Sequence, residues 1–396
     1  MREALERDQF VVKRVHFNSS DSPFGRNAGD VRFKGVLEQW EVWLRFELTQ
    51  ERPDCIVLFG SSRPIHKVAR AVAANFGIPV LSLEEGYLRK GYITAEFGGN
   101  NQHSPMTSWV AKGLSKAEQA TASVPMDMKS SFWPMSLWGI LYYCCRDIFS
   151  PSADAALYHR PREHIAKLIL SWSVHMAART WFRVSEAPIR SRLNKRCRYI
   201  LVPLQVSSDS QIQQAARGWT AHSLVDACLN ALITAEPHQK IVFKLHPLER
   251  NNFRIARHIR RTAKKKGIGA ERVQILHSGR IGELTAASSG MIVINSTSAF
   301  SALHQRVPLL VLGAAMYRHD EIVTVAESEQ DIKDFFKLRH SKSSEAILEF
   351  FHALKSNCLI PGDFYTAKGR KAAIAHIIRK IEAFSEAIEI GTEQTI

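Results

Sequence analysis

The sequence predicts an α/β protein of two domains, each a largely parallel sheet wound with helices. Two stretches alternate short apolar runs with helix-period segments, and residues 115–195 between them lose the strand signal. The expected division is residues 1–195, with the helical segment attached, and residues 196–396, ending in helices.

In the first stretch, Cys55–Phe59 is a β-like run, and Ile65, Val68, Ala69, Val72 and Phe76 follow at helical spacing. Pro79–Leu83 is again strand-like, which makes a βαβ unit with parallel strands. In the second stretch, Tyr199–Leu204, Lys240–Leu245, Val273–His277, Met291–Asn295 and Pro308–Leu312 are the expected strands. Helix-like segments lie between them near 220–235, 253–266, 281–288 and 298–305. Such a doubly wound, Rossmann-like sheet binds ligands at the carboxyl ends of its strands. Residues 366–390 form a helical tail. Two Rossmann-like domains facing a cleft make a GT-B-like architecture, an analogy of fold that does not by itself fix function.

Hydrophobic residues at 45% and charged residues at 23% supply an ordinary globular core. The net charge of +15 points to an anionic partner: nucleic acid, an acidic membrane surface or a polyanionic substrate. No nucleic-acid recognition motif accompanies the charge, so nucleic acid is not an expected partner. The six cysteines show no metal-ligand spacing and are expected as buried thiols in a reducing compartment, with no metal site. Met1–Gln9 is charged and lacks the apolar core of a signal peptide. The aromatic-apolar run Phe132–Cys145 falls short of the roughly 20 residues a spanning helix needs.

Three strand ends carry candidate chemistry. Glu84 and Glu85 follow the strand Pro79–Leu83 and precede a glycine, which suits an acid/base or nucleophilic pair or an ordinary acidic loop. Lys244-Leu-His246-Pro247 ends a second strand, where Lys244 and His246 could grip a phosphate or form a charged turn. Asn295-Ser-Thr-Ser298 ends a third, offering either an anion site or simple helix capping. Basic residues Arg254, Arg257, Arg260, Arg261, Lys264, Lys265 and Lys266 crowd one predicted helix, which suits an acidic membrane or plain solvation. Trp133, Trp138, Tyr142 and Tyr143 suit either a membrane interface or a core.

In this order the motifs resemble the capsule polysaccharide biosynthesis/export family, and within it the KpsS-type β-Kdo transferases (Kdo, 3-deoxy-manno-octulosonic acid). The likeness rests on Leu83–Thr94, Gly98–Asn101, Val202–Gln205 with Ser208–Gln211, Phe243–Arg250 and Ile294–Leu303, and spans roughly residues 10–320. It implies a GT-B-like enzyme that takes Kdo from CMP-β-Kdo to a phosphatidylglycerol-type lipid, using no cofactor beyond this donor substrate. Retention of configuration would follow from a double displacement on a carboxylate. Carried onto this chain, Glu85 is the nucleophile and Glu84 its acid/base or orienting partner. Lys244, His246, Ser296, Thr297 and Ser298 hold the CMP phosphate. Gln205, Asp209 and Gln211 serve the nucleotide or acceptor, and Arg89 meets the Kdo carboxylate. The first domain would be the acceptor side and the second the CMP-sugar side. The resemblance further implies work at the cytoplasmic face of the inner membrane, beside other capsule synthesis or export proteins. Two alternatives stay open: a non-catalytic capsule assembly or glycan-binding protein, and a transferase for another CMP-sugar such as CMP-sialic acid. The chain departs from the family pattern in beginning at Met1-Arg-Glu-Ala-Leu, where relatives have a strand and glycine loop first, and in carrying Lys90 where many have proline.

Overall fold

The computed structural model describes residues 1–18, 20–21, 29–88, 91–111, 123–127, 132–149, 157, 165–196, 199–206, 215–247, 249 and 252–393. The chain forms two compact units: residues 1–105, 118–165 and 352–396, and residues 106–117 and 166–351.

The first unit holds a small parallel pair, β1 (Val15–His16) with β2 (Val31–Arg32), and a four-stranded sheet. That sheet contains β3 (Ile56–Phe59), β4 (Val80–Glu85), β5 (Tyr92–Phe97) and β12 (Leu359–Pro361), in the order β12-β5-β4-β3. The predicted βαβ unit is present, with β3 and β4 parallel across helix Pro64–Asn75. Beyond it the sheet departs from expectation. β4 turns into a hairpin, β5 runs antiparallel to it, and β12 runs antiparallel to β5. The turn is permitted by Gly86, where a side chain would collide with the Tyr92 carbonyl, and by Gly91, held at φ +81°.

Alternation along β4 sorts its residues between two faces. Val80 joins Trp40, Leu44, Ile65 and Val72 of helices Leu37–Gln50 and Pro64–Asn75. Leu81 and Leu83 pack with Ile93, Ala95 and the apolar stripe Ala373, Ile377, Ile378 and Ile381 of helix Ala367–Glu393. That stripe places the C-terminal helix in the first unit, where the sequence had assigned it to the second.

The second unit is a six-stranded parallel sheet. Its strands are β6 (Tyr199–Pro203), β7 (Lys240–Lys244), β8 (Val273–Leu276), β9 (Gly290–Val293), β10 (Leu309–Val311) and β11 (Thr324–Val325), in the order β11-β10-β9-β6-β7-β8. Ile200, Val202, Ile241, Phe243 and Ile292 face a core closed by Leu224, Cys228, Ile259 and Phe335 from the covering helices. Burial on both faces explains why these strands are unbroken apolar runs. The order reverses between β6 and β9, which sets the topological switch point at their carboxyl ends. Helices Ile165–Ser185 and Ala187–Arg196 belong to this unit, since Glu186 at their junction bonds the backbone of His277 and Ser278. The sequence had placed them with the first domain.

Candidate functional site

In the first unit, Glu84 and Glu85 lie on β4, both half-buried, opposite Thr94 and Ile93 of β5. Adjacent strand residues point to opposite faces, so the two do not form the facing pair expected from their adjacency. Glu85 shares the face of Leu81 and Leu83, where its Oε1 accepts from the Tyr365 hydroxyl at 2.7 Å. Burial, and then the Glu85 charge, push the Tyr365 phenol well above its usual range, so it stays protonated and donates. Tyr365 is held by Asp363, whose Oδ1 accepts from the backbone N–H groups of Tyr365 and Thr366, both at 2.6 Å.

Beyond Val80, the opposite face is polar and buried around Ser82, Glu96, Asn100 and Ser104. Glu96 accepts from the Tyr87 hydroxyl at 2.6 Å, from Asn100 Nδ2 at 3.3 Å and from the Ser104 hydroxyl. Burial raises the Glu96 carboxyl above the carboxylate range, against the lowering effect of these bonds. Cys358 borders the same carboxyl, and burial raises its thiol.

In the second unit, Gln205 sits half-buried two residues beyond β6, and Asn295 and Ser296 lie buried just beyond β9, so the switch point carries these side chains. Ser296 Oγ accepts from the Ser298 N–H at 3.2 Å, and Ser298 makes no side-chain cap. Helix Ala299–His304 has only six residues, too short to supply the helix-terminus anion site expected there. Thr297 and Ser298 are half-buried beside it. Lys244 is buried, and its Nζ donates to Leu245 O at 2.8 Å and His277 O at 3.3 Å. Desolvation, helped by Arg179 and Arg190 and opposed by Glu186, brings its pKa down to about 8. Its ammonium ties the ends of β7 and β8 together. His246 is half-buried in the turn that follows, its carbonyl accepting from Asn252 Nδ2 at 3.1 Å. Arg89, Asp209 and Gln211 lie outside the described residues.

Sequence reasoning missed a third group. Glu186, buried at the junction of two helices, accepts from His277 Nδ1 at 2.9 Å, Ser278 N at 2.9 Å and Ser278 Oγ at 2.6 Å. Although burial opposes it, the bonds from His277 and Ser278 hold the Glu186 carboxyl below its usual range. His277 stacks on Phe182 at 3.8 Å between centroids. Its place directly after β8, at a strand's carboxyl end, is the one signal the sequence offers.

The basic helix is Asn252–Lys265; it buries Ile255, Ala256, Ile259 and Ala263 and exposes Arg254, Arg257, Arg260, Arg261, Lys264 and Lys265. Helix Phe132–Phe149 exposes Leu137, Trp138, Ile140, Leu141, Ile148 and Phe149. Tyr142 is drawn inward, accepting from Asn18 Nδ2 at 3.1 Å, and Tyr143 lies under the Arg146 guanidinium at 5.0 Å. Among the described residues no helix is long and apolar enough to cross a membrane, and no cluster suits a metal ion. Cys228 and Cys358 are buried as expected; Cys55, Cys144 and Cys145 are half-buried.

The family model described as capsule polysaccharide biosynthesis protein matches residues 54–365. The chain therefore belongs to the capsule polysaccharide biosynthesis family. It is 27% identical over 369 residues to the capsule polysaccharide modification protein LipB of Neisseria meningitidis serogroup B, covering 90% of this chain and 86% of that one. It is 28% identical over 315 residues to the capsule polysaccharide export protein KpsS of Escherichia coli, covering 76% and 78%. Among solved structures, the β-Kdo 2,7 transferase of Thermosulfurimonas dismutans KpsC is similar over 87% of this chain and 90% of its own, at 14% identity and a TM-score of 0.42.

Proposed function

We propose that this chain is a GT-B-like glycosyltransferase that moves Kdo from CMP-β-Kdo to a phosphatidylglycerol-type lipid during capsule assembly, with retention. The observation that carries the reading is the Glu85 carboxylate, held on β4 by a protonated Tyr365, in a member of the capsule polysaccharide biosynthesis family. Glu85 attacks C2 of Kdo; the C2–O bond to phosphate breaks, and CMP leaves with the electron pair. The lipid hydroxyl then attacks C2, the bond to Glu85 breaks, and the hydroxyl proton is lost to water, since Glu84 points to the opposite face of β4 from Glu85. Two inversions restore the donor's configuration. His246, Gln205, Ser296, Thr297 and Ser298 bind the nucleotide at the carboxyl edge of the second sheet, with Asp209 and Gln211. Lys244 supports that edge from beneath and supplies positive charge, and Arg89 meets the Kdo carboxylate.

The lipid acceptor requires work at the inner-membrane surface. The exposed basic face of helix Asn252–Lys265 and the exposed apolar residues of helix Phe132–Phe149 suit such a surface. The test is transfer by wild type and Glu85→Gln, each with CMP-Kdo and a phosphatidylglycerol acceptor. Wild type should turn over, and the folded variant should lose activity by at least about a thousandfold, roughly 4 kcal/mol of barrier. Near-wild-type turnover by Glu85→Gln would remove this carboxylate from the chemistry.

A further inference from the structure

In the second unit, the segment that follows β10 grips two loops at the carboxyl edge of the sheet. The Gly313 N–H donates to Ile294 O at 2.7 Å, just beyond β9. The Ala314 N–H donates to Ala215 O at 2.6 Å, in the connection between β6 and helix Ala221–Thr234. This closeness requires glycine at 313, where a Cβ would lie 2.6 Å from Ala215 O and 2.9 Å from Ile294 Cγ2. Tyr317 follows, only 1% exposed, and its hydroxyl donates to Ser296 O at 2.7 Å. Burial raises the phenol well above its usual range, so it stays protonated and donates. The Tyr317 ring meets Phe300 edge to face at 5.4 Å, on the short helix into which the Ser296 loop runs. At the surface, Glu327 pairs with Arg217 at 2.7 Å and with Arg318 at 2.5 Å, which fastens the same two segments again.

A loop that binds a ligand must be held within about 0.5 Å of its productive geometry by the residues behind it. The helix after Ser298 has only six residues and gives the loop little support of its own. We infer that Tyr317 is a positioning residue for the nucleotide: its hydroxyl on Ser296 O sets the loop Asn295–Ser298. Gly313 fixes the spacing of that loop from the connection in which Gln205, Asp209 and Gln211 occur. Neither residue touches the nucleotide; both act through the backbone of residues that do. The inference rests on the nucleotide-binding reading of this edge and adds the residues that hold it in shape. A buried tyrosine elsewhere in the sheet separates positioning from plain stability. Tyr199, at the first position of β6 and so at the amino end of the sheet, is fully buried and donates its hydroxyl to Leu284 O at 2.7 Å. Removing either hydroxyl strands a carbonyl at the same chemical cost, but only Tyr317 stands behind the proposed nucleotide loop.

The test is calorimetric titration of CMP into wild type, Tyr317→Phe and Tyr199→Phe, with a melting curve for each. Both variants should melt below wild type. CMP affinity should fall at least about fivefold in Tyr317→Phe and stay within about twofold of wild type in Tyr199→Phe. Gly313→Ala, which pushes the two loops apart, should also weaken CMP, and the same criteria apply to it should Tyr317→Phe fail to fold. Wild type that binds CMP while Tyr317→Phe binds it equally well overturns the inference and leaves the nucleotide reading intact. Equal weakening in Tyr317→Phe and Tyr199→Phe likewise overturns it, because the hydroxyl would then act on stability alone. Folded wild type that binds no CMP overturns the nucleotide reading and this inference with it.

Discussion

Replacing Glu186 by alanine should unfasten the end of β8 from the helices that cover it. The carboxylate accepts from His277 N at 2.9 and 3.1 Å, from His277 Nδ1 at 2.9 Å, from Ser278 N at 2.9 Å and from Ser278 Oγ at 2.6 Å. The serine hydroxyl has a second acceptor in Phe182 O, but the other three donors lose theirs. At about 1–3 kcal/mol for each stranded donor, and allowing for water entering the space, the expected loss is about 3–5 kcal/mol. Glu186→Gln keeps an acceptor oxygen and should lose about half as much. Urea titration followed by hydrogen exchange of residues 273–279 reads the loss as a lower midpoint at unchanged slope. The difference should also depend on pH. A carboxyl held below its usual 4.5 contributes fully above that pH and loses its contribution as pH falls through the lower folded value, so wild type and Glu186→Ala should converge in acid. Lys244 should follow, since the Glu186 charge is what opposes the depression of its pKa to about 8. A loss under about 1 kcal/mol with unchanged exchange at His277 and Ser278 would refute this reasoning.

Tyr365→Phe removes the hydroxyl that Glu85 accepts from, and should lower kcat about tenfold with little change in fold; steady-state kinetics and a melting curve check both. His246→Ala should weaken CMP binding measured by calorimetry, and unchanged affinity would return His246 to a structural turn. Reversing Arg257, Arg261 and Lys264 to glutamate should weaken flotation with phosphatidylglycerol vesicles, with release of wild type as salt rises, because all three are exposed. Equal flotation of mutant and wild type would leave helix Phe132–Phe149 as the remaining surface.

The second sheet was legible because strands buried on both faces cannot be mistaken for surface: Tyr199–Pro203 and Gly290–Val293 are buried at every position. β5 was not, since Tyr92-Ile-Thr-Ala-Glu-Phe97 carries a buried Glu96 that is tolerated through partners such as Tyr87, Asn100 and Ser104, which the fold brings to it. Likewise β12 ends in Pro361 and pairs with residues more than 250 positions earlier, a non-local contact that no local pattern reveals. The same limit hid Tyr365 and Glu186. Each acts on a residue far away in sequence, Glu85 and His277, and each sits in an unremarked stretch. Motif reading located Glu85, Lys244, His246 and Ser296 at strand ends. It could not foresee that Glu84 and Glu85 point apart or that Lys244 turns inward to two carbonyls.

The central claim is that this chain transfers Kdo, and the product's mass tests it most directly. Purified protein would be incubated with a synthetic phosphatidylglycerol acceptor and CMP-Kdo generated in place, and the lipid analysed by mass spectrometry. The account predicts acceptor heavier by one or more Kdo residues, formed with release of CMP and absent with Glu85→Gln. Unmodified acceptor in the presence of folded wild-type protein, or equal use of CMP-sialic acid, would contradict it.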